Sequence, residues 1–187
     1  MQLLDRLFQE WRFRAIQRYI RPGARVLDIG CGDGALFRRF PDRIREGIGI
    51  DADLREPVEG GAYRLLPGMF PDDLPTSLGG FDVITMLAVL EHIPPGRQPH
   101  LAHRCTSLLT SGGRVILTVP SPKVDHILHG LKHLPFLYEG RSLEQHYGFD
   151  PNQTPRLFPS LRLLVARRFE FGLNHLFVFE RVLNVAD

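Results

Sequence analysis

The sequence predicts an α/β fold with a mostly parallel sheet, and three observations carry the prediction. Residues 25–34, Arg-Val-Leu-Asp-Ile-Gly-Cys-Gly-Asp-Gly, form a short apolar run that breaks into Gly30, Gly32 and Gly34, with helical spacing (Leu36, Phe37, Phe40) following at once. Strand, glycine turn and helix open a nucleotide-binding βαβ unit. A second apolar run, residues 47–51, ends in the carboxylate of Asp51, about 20 residues beyond the turn. Residues 81–87 and 114–120 are nearly continuous apolar stretches separated by a helical pattern, as expected of strands buried on both faces.

The 187 residues are 43% hydrophobic and 24% charged, enough apolar material for one domain with a single core. A net charge of +2 with no arginine–aromatic stripe gives no nucleic-acid-binding signal. Cys31 and Cys105 are the only cysteines, so a disulfide scaffold is excluded and a reducing compartment is the default. No stretch approaches the roughly 20 apolar residues of a membrane span. Charges at Asp5, Arg6, Glu10 and Arg12 interrupt any signal-peptide core. A cytoplasmic protein is the expectation.

Taken in order, residues 2–20 read as an amphipathic helix, with Leu4, Leu7, Phe8, Trp11, Ala15, Ile16 and Tyr19 at helical spacing and Arg6, Arg12, Arg14 and Arg18 elsewhere around it. A helix packed across the domain is the favoured reading, and peripheral contact with a membrane surface is the competing one. Pro22-Gly23 ends it. Residues 54–61 lack a helical pattern, so the next crossover is short or irregular, and residues 63–66 form a third strand. Residues 98–109 make a helix with Leu101, Cys105, Leu108 and Leu109 on one face, and Gly112-Gly113 is read as its stop. Cys105 is then a core residue. In residues 121–150, Val124, Ile127, Leu128, Leu131 and Leu134 form an apolar helical stripe beside His126, His129 and His133. Those histidines have metal-ligand spacing, but no cysteine or acid completes a set, and no metal is expected. Residues 138–149 read as an active-site cover. Asp150-Pro151 opens a short helix to Phe158, and residues 161–171 and 176–182 form two last strands joined by a turn at 172–174.

Gly30-x-Gly32-x-x-Ala35 satisfies the relaxed dinucleotide fingerprint, but the stretch is also Asp28-x-Gly30-x-Gly32-x-Gly34. Carboxylates at Asp28 and Asp33 repel a pyrophosphate and favour a cofactor that carries an ammonium. S-adenosylmethionine carries one, with a sulfonium and no phosphate. Asp51, with Asp53 as a second candidate, is placed to accept ribose hydroxyls, which either cofactor class offers.

Val-Leu-Asp-Ile-Gly-Cys-Gly-Asp-Gly resembles motif I of the class I S-adenosylmethionine-dependent methyltransferases, and residues 88–94, Ala-Val-Leu-Glu-His-Ile-Pro, resemble the Leu-Glu-His segment of the small-molecule, type 11/12-like branch. The resemblance spans residues 23–182 and includes the terminal hairpin, residues 171–177. It implies a Rossmann-like three-layer α/β/α sandwich whose mostly parallel seven-stranded sheet has an antiparallel last strand. The chain is then one methyltransferase domain, 1–187, with an N-terminal helix (1–22) and a substrate-covering insertion (121–150). The implied cofactor contacts are Asp28, Gly30, Cys31, Gly32 and Gly34 in motif I, Asp51 and Ala52 after the second strand, and Leu87 and Ala88 at the methionine end. The family's Gly-Asp at the adenine is replaced here by Gly68-Met69, leaving Met69 and Phe70 to sandwich the ring and Asp72 or Asp73 to supply a carboxylate. His92 is a candidate base facing the acceptor. His146 is a second, in Glu144-Gln145-His146-Tyr147-Gly148-Phe149, which resembles an acid-x-His-x-x-aromatic segment of the superfamily.

The implied activity is methyl transfer from S-adenosylmethionine to a small-molecule or lipid-linked acceptor. Two alternatives stand beside it: a non-catalytic S-adenosylmethionine-binding subunit and an NAD-dependent oxidoreductase. The sequence assigns no acceptor and no oligomeric state.

Overall fold

In the chain's computed structural model, residues 3–121 and 150–182 are described. The apolar runs become one eight-stranded sheet. Its strands are β1 (Ala24–Ile29), β2 (Ile44–Asp51), β3 (Val58–Gly60), β4 (Tyr63–Pro67), β5 (Phe81–Leu87), β6 (Leu109–Pro120), β7 (Arg162–Phe169) and β8 (Asn174–Glu180), in the spatial order β3-β4-β2-β1-β5-β6-β8-β7. Pairing is parallel from β4 through β2, β1 and β5 to β6, while β8 runs antiparallel between β6 and β7. The last strand is thus antiparallel, as expected.

The sheet has eight strands rather than seven because the crossover after β2 is itself a strand. Val58–Gly60 pairs antiparallel with β4, and Gly61, at φ +59°, turns the hairpin. Three residues, mostly exposed, give no periodic signal, so the sequence showed only a missing helix there.

The continuous apolar runs serve two faces at once, since side chains alternate along a strand. Leu27, Ile29, Ile84, Met86, Val115, Leu117, Phe177 and Phe179 join a cluster with Leu101, Cys105 and Leu108 of α3 (Gln98–Leu108) and with Phe158 beyond a short helix, Thr154–Leu157. Val26, Val83, Ile116, Leu176 and Val178 face the other way. They pack with Phe13 and Ile16 of α1 (Leu3–Ile16) and with Leu36 and Phe37 of α2 (Ala35–Arg39). Helices on both faces make the three layers.

Two boundaries move. The 98–109 helix stops at Leu108, and the chain is already extended at Leu109 (φ −74°, ψ 144°), so Gly112-Gly113 lies within β6 rather than capping the helix. A Cβ on Gly113 would sit 2.9 Å from the Thr110 carbonyl oxygen and 3.0 Å from that of Phe81, so backbone crowding beside β5 is what requires glycine there. The turn before β8 is a short 3-10 segment, Glu170–Gly172, and Asn174 already pairs with Pro120. Asp150 caps its segment as read: its Oδ1 accepts the Asn152 N–H at 2.9 Å, with Pro151 in the first helical position.

Candidate cofactor site

The chain leaves β1 for β2 on one side and returns to β5 on the other. The crevice beyond the carboxyl ends of β1 and β5 is therefore the switch point of the sheet. The glycine turn fills the mouth of that crevice. Gly30 and Cys31 donate to the Ile50 carbonyl at 2.9 and 3.4 Å, and Gly34 donates to the Cys31 carbonyl at 3.0 Å. Gly30, Gly32 and Gly34 all have positive φ (73°, 52° and 78°). They differ in what a side chain would meet. A Cβ on Gly30 would lie 2.4 Å from Val89 Cγ2, so packing against the β5 loop excludes it. A Cβ on Gly32 would meet nothing within 4 Å, which leaves bare backbone facing outward.

Asp51 ends β2 beside the turn. Its Oδ2 accepts the Gly32 N–H at 2.7 Å and its Oδ1 accepts the Asp53 N–H at 2.9 Å. Its own carbonyl accepts the Gly68 N–H at 3.0 Å, which brings the loop after β4 against it, and Ala52 follows in the exposed turn. On the other side, Leu87 ends β5 and Ala88, at φ +58°, donates to the Thr118 carbonyl at 2.8 Å. Left-handed backbone at a non-glycine residue is strained, and here it turns the chain over the crevice. The fold thus gathers Gly30, Cys31, Gly32, Gly34, Asp51, Ala52, Leu87, Ala88 and the Gly68-Met69 loop at one edge.

Three of the expected contacts sit differently from their expectation. Asp28 does not face the open crevice. It is 5% exposed and accepts the hydroxyl of Thr85, its register partner on β5, at 2.6 Å. Burial, opposed by the Thr85 hydrogen bond and aided by the Asp51 charge, pushes its carboxyl up to about 7. Cys31 offers only backbone to the crevice. Its side chain is buried beside Gly49, and burial, then the charges of Asp28 and Asp51, raises the thiol well above its ordinary range. Phe70 is 8% exposed within the larger apolar cluster while Met69 is 50% exposed, so the two side chains have separate surroundings and do not form the two walls of a sandwich.

The substitute carboxylates are engaged as well. Asp73 Oδ2 accepts the Met69 N–H at 2.7 Å, and Asp72 pairs with Arg97, with His100 3.8 Å away. His92 closes the 3-10 turn Leu90–His92 and is half-buried, with Leu90 and Glu91 buried beside it. His146, and with it His126, His129 and His133, lies outside the described residues. Among the described residues no group of three or more His, Cys, Asp or Glu could hold a metal, and no helix is long and apolar enough to cross a membrane.

Sequence reasoning missed Thr85, Val89 and the Asp33 cap. Asp33 Oδ1 accepts the Ala35 N–H at 3.1 Å, and the same carboxylate pairs with Arg38 at 2.7 Å. The signal for Thr85 was present: it is the one polar residue after Asp82 in the strand's apolar run. The Asp33 cap carries chemical weight, because two turn N–H groups that a phosphate would use, those of Gly32 and Ala35, already donate to carboxylates. The arrangement suits the vicinal hydroxyls of a nucleoside and disfavours a pyrophosphate.

Comparison with known proteins agrees with this geometry. The chain is 35% identical over 107 residues to the ubiquinone biosynthesis O-methyltransferase of Pseudomonas aeruginosa (strain UCBPP-PA14), which covers 51% of this chain and 44% of that protein. It therefore spans less than half the length of that relative. Among solved structures, the N-methyltransferase NodS from Bradyrhizobium japonicum WM9 superposes with a TM-score of 0.69 at 14% identity, covering 97% of this chain and 100% of NodS. A TehB-like SAM-dependent methyltransferase from Corynebacterium glutamicum gives 0.64 at 16% identity, covering 91% and 86% of the two chains. Those likenesses establish the shared fold. The match that reaches further spans residues 2–173, and by it the chain belongs to the family described as a methyltransferase domain.

Proposed function

We propose that the chain binds S-adenosylmethionine at the β1–β5 crevice and transfers its methyl group to a hydroxyl oxygen of a small-molecule or lipid-linked acceptor. One observation carries the choice of cofactor. The half-buried Asp51 carboxylate is anchored by the Gly32 N–H at 2.7 Å, so an acid and bare glycine backbone stand side by side where adenosine would lie. S-adenosylmethionine fits these residues: it presents ribose hydroxyls to Asp51 and lays no phosphate on the capped N–H groups.

The bound cofactor supplies a methyl group already activated on a sulfonium. What remains for the chain is alignment and exclusion of water. Asp51 and Ala52 would hold the ribose side, Gly30–Gly34 the backbone cradle, Leu87 and Ala88 the methionine side, and Met69 one side of the adenine. Asp28 would act through Thr85 by fixing the β1–β5 spacing. His92, half-buried at the mouth, is our candidate for accepting the acceptor's hydroxyl proton, with His146 as the second. The oxygen acceptor is supported by the O-methyltransferase names of the relatives.

Purified chain is incubated with methyl-labelled S-adenosylmethionine and a panel of phenols and catechols, with and without apolar tails, beside matched amines. Transfer to a hydroxyl acceptor, reduced at least tenfold by His92→Ala while S-adenosylhomocysteine affinity holds, supports the reading. Tight binding of the homocysteine product with no transfer to any acceptor would instead favour the non-catalytic cofactor-binding subunit.

A further inference from the structure

The β7–β8 turn holds an aromatic side chain out in water. Phe171 is 95% exposed, and both it and Glu170 have left-handed backbone (φ 55° and 51°). A large apolar ring displayed on strained backbone is unfavourable for an isolated fold, which is the reason to ask what it meets. Its ring stands edge-on to Trp11 of α1 at 6.1 Å, and Trp11 stands edge-on to Phe8 at 6.1 Å, giving a row of three rings. Leu7, the residue before Phe8 on α1, is 43% exposed. Beneath the row is a groove of about 420 Å³ lined by Trp11, Ala15, Phe169 and Phe171, with Arg14 and Arg167 among its walls.

The charge around the rings has one sign outward. Arg14 is exposed on α1, and Arg167 reaches across from β7 to donate to the Ala15 carbonyl at 3.3 Å. The nearby acids are engaged: Glu10 is bridged to Arg14 and Arg39, and Glu170 is 8% exposed and hydrogen-bonded to Asn174. The turn is also tied to the carboxyl end of β6, where Ser121 donates to the Leu173 carbonyl at 2.7 Å. This surface therefore lies at the sheet edge that carries the glycine turn.

We infer that the Phe8–Trp11–Phe171 row with Arg14 and Arg167 is a docking surface for an anionic lipid bilayer. The rings enter the headgroup region and the guanidinium groups meet lipid phosphates, the division of labour of interfacial aromatic and basic residues. Docking in this way turns the cofactor edge toward the membrane. The inference does not depend on the proposed chemistry, because the surface exists without cofactor or acceptor.

Trp11 is the only tryptophan of the chain, so intrinsic fluorescence reads this surface alone. The test is titration of the ligand-free protein with phosphatidylcholine vesicles, with and without phosphatidylglycerol. The expected result is a blue shift with the anionic vesicles only, reversed by salt. Phe171→Ser should weaken partitioning about tenfold, the effect of withdrawing one buried phenyl ring. Arg167→Gln should weaken it about fivefold, as expected for one basic residue at an anionic surface. Unchanged melting temperatures would show that both variants fold. Absence of a shift, or a shift that both variants reproduce in full, overturns the inference. So does a vesicle-independent shift that rises with protein concentration alongside a doubled sedimentation mass, since the surface would then join two copies of the chain.

Discussion

Gly30 and Gly32 share a left-handed backbone and differ in what lies beyond it, so alanine at each position separates folding from ligand contact. Alanine at positive φ costs about 1–2 kcal/mol from backbone strain alone. At Gly32 nothing lies within 4 Å of the added methyl, so strain is the whole cost. At Gly30 the methyl would lie 2.4 Å from Val89 Cγ2, more than an ångström inside ordinary contact. Overpacking of that kind adds about 1–3 kcal/mol. For a chain of this size each kcal/mol lowers the melting temperature by about 2–4 °C. Gly32→Ala should therefore melt about 2–8 °C below the wild type, and Gly30→Ala about twice as far below it. Binding should rank them the other way for cause. Gly32→Ala remains folded yet puts a methyl on the cradle, and calorimetry should show S-adenosylhomocysteine affinity lowered at least tenfold, about 1.4 kcal/mol. A Gly32→Ala variant that binds the homocysteine product as tightly as the wild type would refute the reasoning, because the outward backbone would then not be the ligand's support.

Three further outcomes follow from the same geometry. Asp28 holds its proton more tightly folded than unfolded, so its contribution to stability is present in acid and is lost as the pH rises toward its folded value of about 7. Urea titrations between about pH 3 and about pH 9 should show Asp28→Asn gaining on the wild type as pH rises above about 4, levelling above about pH 7, with a ceiling on the order of 4 kcal/mol. A constant difference across that range would contradict the buried placement. Ala88→Gly relieves left-handed strain and should raise the melting temperature by about 2–4 °C, read by scanning calorimetry. Leu90, fully buried under the Leu90–His92 turn, should lose about 2–5 kcal/mol on Leu90→Ala, measured by denaturant unfolding.

The parallel strands were legible because apolar residues at consecutive positions must serve two faces, and the structure divides them so: Val26 goes to one core and Leu27 to the other. That same alternation was informative about Asp28. It lies two residues from Val26 and so shares its face, but the pairing with Thr85 was not legible, because periodicity gives a face and not a register between strands. Val58–Gly60 was not legible, since an edge strand of three residues lacks the two turns of pattern that a sequence reading needs. Gly112-Gly113 misled because glycine past a helix end and glycine crowded against a neighbouring strand look alike in sequence. The glycine turn and Asp51 were legible from spacing alone. The directions of Met69 and Phe70 were not, because a loop has no period to fix which side chain turns inward.

The measurement that tests the central claim most directly is calorimetric titration of S-adenosylhomocysteine into the wild type and Asp51→Ala, with NAD as the control ligand. The account predicts micromolar binding of the homocysteine product, weakened by about 1–3 kcal/mol when the carboxylate held by Gly32 is removed, and no comparable binding of NAD. Binding of NAD in preference, or homocysteine-product binding indifferent to Asp51→Ala, would contradict it.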